Sequence, residues 1–187
     1  MKYKLTDVKI NFMGKTLFQI EAVKCFGDIV KGQKGGFIEK ESNLSQGGDA
    51  WVSGNAKVYG NAEVSGDAWV SGNAKVSGDA WVSGNAKVYG NAEVYGDAWV
   101  SGNAKVYGNA EVSGNADYLV IGPIGSRNDI TTFFKTANND IKVSCGCFTG
   151  NIEEFLEKVN ETHGNNNYAK EYKTAVEIAK IHIFGGE

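Results

Sequence analysis

One six-residue phrase governs what this chain can fold into. From Gly48 to Leu119 it reads GDAWVS GNAKVY GNAEVS GDAWVS GNAKVS GDAWVS GNAKVY GNAEVY GDAWVS GNAKVY GNAEVS GNADYL. The frame is Gly, Asn or Asp, Ala, a variable residue, Val, and Ser or Tyr. A fixed short period implies units that bury their apolar side only by stacking on one another. Ala and Val stand two residues apart, so on an extended segment both point inward while the residue between them points out. Gly followed by Asn or Asp supplies a corner, because glycine adopts positive φ freely and Asn and Asp tolerate it better than most. A helix is excluded: a glycine in every hexad would cost about 1 kcal/mol each time. Antiparallel hairpins fail as well, since the strands are too short and identical neighbours favour stacking in register. What remains is a parallel solenoid in which three hexads close a triangular coil and twelve hexads make four coils. Each coil lies about 4.8 Å above the last.

Read down the faces of such a prism, the variable position forms three columns. The first holds Trp51, Trp69, Lys87 and Lys105, the second Lys57, Lys75, Glu93 and Glu111, and the third Glu63, Trp81, Trp99 and Asp117. The second is a solvated charge ladder with attractive neighbours. The other two expose more apolar surface than a monomer commonly shows. Trp51, Trp69, Trp81 and Trp99, with Tyr89 and Tyr107 continuing the first face, are therefore the predicted oligomer interface. The competing reading is a stack of surface rings that only stabilises the coils.

With Val52, Val58 and Val64 in the aliphatic place and Ala50, Ala56 and Ala62 in the small one, residues 48–119 resemble hexapeptide-repeat proteins. That resemblance implies a left-handed parallel β-helix and, since such solenoids often associate side by side, a homotrimer. It is silent on activity, because the fold hosts acyltransferases, carbonic anhydrases and plain scaffolds. The lead-in FGDIVKGQKGGFIEKESNLSQ, followed by GNAKVYGNAEV, is similar to uncharacterised proteins encoded by bacteriophages and prophages. This resemblance implies a role in the host cytoplasm, directed at a host defence.

The two ends are not repetitive. Residues 1–47 are expected to cap the solenoid, with YKLTDVKINF and TLFQIEAVKCF pairing across a Met13-Gly14-Lys15 turn. A cap is required because an open solenoid end exposes unpaired backbone groups. Residues 120–187 read as a small α+β domain of three strands and two helices. DYLVIGPIG, ITTFFKT and IKVSCGCF are the strand-like runs, joined in part by an Ala137–Asp140 turn. NIEEFLEKVNETHG and YAKEYKTAVEIAKIHIF carry apolar residues at helical spacing. The fold class is thus mainly β, a β-helix between an N-terminal β cap and a C-terminal α+β domain.

Charge and cysteines narrow the function. A net charge of −3 provides no global basic field for bulk nucleic acid or an anionic membrane. No apolar run approaches the ~20 residues of a membrane span. The first residues lack the apolar core of a signal peptide. A cytoplasmic protein is expected. Cys25, Cys145 and Cys147 form neither a disulfide framework nor a zinc pattern, so no metal and no cofactor is implied. An acyltransferase of this fold would use a histidine in or beside the coils. The coils contain none; the two histidines are His163 and His182.

Arg127 stands out, the one arginine among 19 lysines and arginines. It lies in GPIGSRND, where Gly125, Ser126, Arg127 and Asn128 follow an apolar strand. Glycines permit close backbone approach, and a guanidinium fork suits phosphate or carboxylate better than a lysine does. The plainer reading is a turn with Arg127 paired to Asp129 or Asp140. Thr149 or Gly150, capping the first helix, is a second anion candidate. The interhelix turn with His163, Asn165, Asn166, Asn167, Tyr168 and Lys170 is a third, in which Tyr or His stacks on a base and the asparagines read its edges; the plainer reading is a solvated connection.

These features frame a non-catalytic homotrimer whose C-terminal domain binds a phosphate-bearing, nucleotide-type small molecule. The first alternative is a structural or interaction module docking a host nuclease or a virion component. The second, an acyltransferase-like enzyme, is disfavoured by the missing coil histidine.

Overall fold

A computed structural model describes residues 1–185. Its centre is the expected parallel solenoid, with eleven two-residue rungs from β4 (Trp51–Val52) to β14 (Glu111–Val112). Rungs pair in parallel with those 18 residues away, Val52 beside Val70 and Val58 beside Val76. The three columns are those of the sequence. Every framework Ala and Val from Ala50 to Val112 is buried, each valine contributing roughly 1.5 kcal/mol or more. Amides donate from coil to coil, as Trp51 N to Ala68 O at 2.9 Å and Asn55 N to Gly72 O at 2.9 Å. The corner glycines have positive φ, and at Gly84 (φ +65) a Cβ would meet the Gly102 amide nitrogen at 2.9 Å. The corner therefore needs glycine twice over, for its backbone angle and for the close approach of the next coil.

The third column stops one rung short. Asp117 sits in a short 3-10 turn, Asn115–Asp117, and its carboxylate accepts from the amides of Ser113 (2.8 Å) and Gly114 (3.1 Å). A carboxylate that satisfies its own turn ends the repeat.

Before the shaft, β1 (Tyr3–Phe12) and β2 (Lys15–Ala22) form the expected hairpin. The turn residues Met13 and Gly14 both have positive φ. Next comes β3 (Lys34–Ile38), which pairs in parallel with the rung at Lys57–Val58, while Leu44 bridges Val64. Parallel stacking thus extends back to Phe37, in residues that do not obey the hexad frame. Lys2 closes this end. Fully buried, it donates its ammonium to the carbonyls of Gly47, Gly48 and Ala50 at 3.2, 3.2 and 2.8 Å.

Beyond the shaft, β15 (Tyr118–Ile124), β16 (Asp129–Lys135), β17 (Ile141–Cys145) and β18 (Phe148–Asn151) form an antiparallel sheet in that order. Helices α1 (Ile152–His163) and α2 (Asn167–Phe184) follow. The expected third strand is two, because Gly146 at φ +59 turns the chain between Cys145 and Phe148. This sheet lies between the prism end and the helices, and two adjacent phenylalanines show it. Phe134 joins the solenoid core, while Phe133 on the opposite face of β16 joins the core under α1 and α2. No helix among the described residues is long and apolar enough to cross a membrane.

Candidate ligand-binding site

A partly open cavity lies in the C-terminal domain, between the strand turns and the helices. Its volume is about 350 Å³, within the usual range for a small-molecule site. Phe148, Phe155 and Tyr172 make an aromatic wall, their rings 5.3 to 5.5 Å apart through Phe155. Arg127, Lys158 and His163 supply cationic or proton-bearing groups, Ser126 and Thr162 hydroxyls, Asp129 a carboxylate, and Cys145 and Cys147 thiols.

Local folding explains these positions. Gly125 (φ +70) turns the chain out of β15 directly against Tyr172, where any Cβ would collide with the ring. Its amide donates to Glu171 Oε2 at 2.7 Å, which locks the turn to α2. On α1, Phe155, Val159 and Thr162 recur at helical spacing and face one way. The His163 ring, at the end of α1, lies 5.8 Å from that of Tyr172. Burial pushes the Tyr172 phenol up to about 12; Cys145 and Glu171 add to this and Arg127 opposes it. The phenol is therefore a neutral hydrogen-bond donor at physiological pH. Arg127 is exposed and forms no ion pair among the described residues. The expected alternative pairing with Asp129 or Asp140 does not form. Its nearest polar contact is Cys147 Sγ, 4.0 Å from Nη1.

Of the residues singled out in the sequence, the cavity gathers Ser126, Arg127 and His163, with Gly125 buried behind them. Asn128 does not line it; at φ +47 its amide closes the turn on Gly125 O at 3.1 Å. Thr149 is on the wrong face. Strand alternation turns Phe148 to the cavity and Thr149 towards Tyr107 on the solenoid side. Nor does Thr149 or Gly150 cap α1. Asn151 does, with Oδ1 accepting from Glu154 N at 2.8 Å and Glu154 Oε2 from Asn151 N at 2.9 Å. That helix start already carries Glu153 and Glu154, which removes it as an anion site. Tyr168 and Lys170, in the first turn of α2, lie outside the cavity, Tyr168 meeting only the edge of His163 at 5.8 Å. The sequence did not single out Lys158 or Tyr172 as cavity residues, and in it Cys145 and Cys147 stood out only as an incomplete metal pattern. The usable signal was Lys158 beside Val159 on the apolar stripe of α1; Tyr172 reads as plain core.

The predicted aromatic interface also changes. Trp51 points outward from its coil but is 0% exposed, covered by Tyr3 and Phe26 of the N-terminal cap. Trp69 is half-buried against the shaft. Tyr107 stacks on Tyr89 at 5.2 Å, lies under Phe134 and donates to Val143 O at 3.1 Å. These residues are used within one chain. Trp81 and Trp99 alone remain open, 42% and 49% exposed, stacked at 5.2 Å and 10°. Their indole N–H groups donate to Ser65 and Ser83.

Two stretches of the shaft match a known family. Residues 56–72 and 86–102 match the YdcK β-solenoid repeat. Both lie inside the solenoid and neither end is covered, so the similarity concerns the fold. No curated protein matches the chain.

Proposed function

We propose that the protein is a non-catalytic binder whose C-terminal cavity takes a small molecule carrying an aromatic ring and a phosphate, a nucleotide-type ligand. The observation that carries this reading is the exposed Arg127 guanidinium, without an ion pair among the described residues, on the lining of an aromatic-walled cavity that Lys158 and His163 also line. A base stacks against the Phe148–Phe155–Tyr172 wall, and the phosphate meets the guanidinium fork. The phage-like lead-in supports sequestration of a host immune signal as the use of such a site.

Thermal shift against mono-, di- and cyclic nucleotides tests it. A ligand present at about 100 times its Kd adds roughly 2.7 kcal/mol of stability. No response across the panel, or one unchanged in Arg127→Ala, removes the reading.

A second reading, an interaction module, is favoured by the open Trp81–Trp99 stack, which is also the remaining support for a homotrimer. Light scattering on wild type and Trp81→Ser/Trp99→Ser decides it: a trimer that dissociates in the double variant supports that face as the contact, whereas a wild-type monomer ends the trimer.

A further inference from the structure

The same cavity holds two thiols that ligand binding does not require. Cys145 ends β17, Cys147 precedes β18, and both line the cavity. Two features set them apart from the exposed Cys25. Arg127 Nη1 lies 4.0 Å from Cys147 Sγ in donor geometry. Cys145, half-buried, accepts from the Thr131 hydroxyl at 3.2 Å, and Tyr172 lies beside it. Gly146 between them has no side chain to keep the sulfurs apart. Residues two apart span at most about 7 Å, and a tight turn brings them closer, within the Cα separation of about 4.4–6.8 Å that a disulfide needs.

We infer that Cys147 is a nucleophilic thiol and Cys145 its resolving partner, together forming a thiol–disulfide exchange site for low-molecular-weight disulfides. Cys147 Sγ, as thiolate, attacks one sulfur of R–S–S–R. The S–S bond breaks, RS⁻ departs and takes up the proton that Cys147 gave up, leaving Cys147 in a mixed disulfide. Cys145 then loses its proton and attacks Cys147 Sγ, releasing a second RSH. Two protein thiols become one disulfide as one small disulfide becomes two thiols, so electrons and protons balance. Cys147, exposed and in contact with the Arg127 guanidinium, is the sulfur an incoming disulfide reaches first, which marks it as the attacking sulfur. Cys145, half-buried, acts second.

The site stands independently of the ligand reading, because its test contains no nucleotide. Full-length protein is incubated with oxidised glutathione at neutral pH, quenched by acid over time and mapped by mass spectrometry. The expected product is a Cys145–Cys147 disulfide with Cys25 still reduced. Cys145→Ser is expected to stop at a glutathione adduct on Cys147. In that variant Cys147 is expected to react at least about fivefold faster than Cys25, which serves as the internal control. Arg127→Ala, checked for an unchanged melting profile, is expected to bring the two rates together. Equal rates at Cys25 and Cys147 with Arg127 intact, an adduct on Cys145 in Cys147→Ser as fast as that on Cys147, or stable wild-type adducts without a bridge would each overturn the assignment.

Discussion

The shaft and the C-terminal domain hold themselves together in opposite ways. In the shaft each rung meets copies of itself, Val on Val and Gly on Gly, so one solution serves eleven strands from Trp51 to Val112. In the C-terminal domain each residue is used once, as Phe133 and Phe134 show by entering two different cores from adjacent positions. The difference teaches where function can reside. A repeated environment offers the same chemistry at every coil, whereas Arg127, His163, Tyr172 and the two thiols converge only where repetition has ended.

The comparison predicts its largest effect at the junction. Phe134→Ala removes the ring that seals the prism against the sheet and packs on Tyr107 at 5.0 Å. A loss of about 3–5 kcal/mol is expected, read from denaturant midpoints. If the shaft instead tolerates an open end, the cost falls near that of a half-buried side chain.

Next come two shaft glycines that share φ +65 but not their surroundings. At Gly102 a Cβ meets nothing within 4 Å, whereas at Gly84 it meets the next coil's backbone. Gly102→Ala is expected to cost about 1–2 kcal/mol for the backbone conformation alone. Gly84→Ala carries that cost plus the displacement of a coil, so it is expected to be at least 1 kcal/mol worse. Equal losses would mean that stacking distance is softer than the ladder implies.

The two ends share one response to pH, since burial raises Tyr3 at the N-terminal end as it raises Tyr107 and Tyr172 at the other. They differ in Lys2, which only the N-terminal end holds. Burial lowers Lys2 at the N-terminal end to about 8, so between there and its ordinary value the folded chain binds fewer protons than the unfolded one. Stability from this group therefore rises with pH over that interval. At the C-terminal end burial raises Tyr107 and Tyr172 to about 12. Their contribution is whole below the ordinary tyrosine value near 10 and is lost as pH climbs through 12. The expected profile is a rise and then a fall, each on the order of 1–2 kcal/mol. Lys2→Met flattens the rising limb and Tyr107→Phe weakens the falling one, measured by denaturation at stepped pH.

The contrast also explains what the sequence disclosed. The shaft was legible down to the residues of each face, since a short period leaves one physical solution. The burial of Trp51 was not, because it depends on Tyr3 and Phe26, distant in sequence and outside the repeat. Only a part of the cavity was legible. Arg127 announces itself as the one arginine in a glycine-rich turn. Tyr172 looks like any core position of α2 until Gly125 and His163 are placed beside it. Thr149 was misplaced by a single step of strand alternation, which composition does not reveal.

The smallest expected effect lies on the shaft's outer corner, where repetition also orders polar side chains. Asn73 sits within a ladder, accepting from Asn55 Nδ2 at 3.3 Å and donating to Asn91 Oδ1 at 3.1 Å. All three are exposed, so water competes for both bonds and each nets no more than about 0.5–1 kcal/mol. Asn73→Ala is expected to lose about 1 kcal/mol, and Asn55→Ala, which breaks only the longer bond, about half of that. Asn73→Asp separates geometry from charge: the acceptor for Asn55 remains while a carboxylate replaces the donor facing Asn91. If Asn73→Asp matches wild type, the column is an incidental alignment of solvated amides. If it falls between wild type and Asn73→Ala, the corner amides tie one coil to the next, a bond available only where the same residue returns every 18 positions.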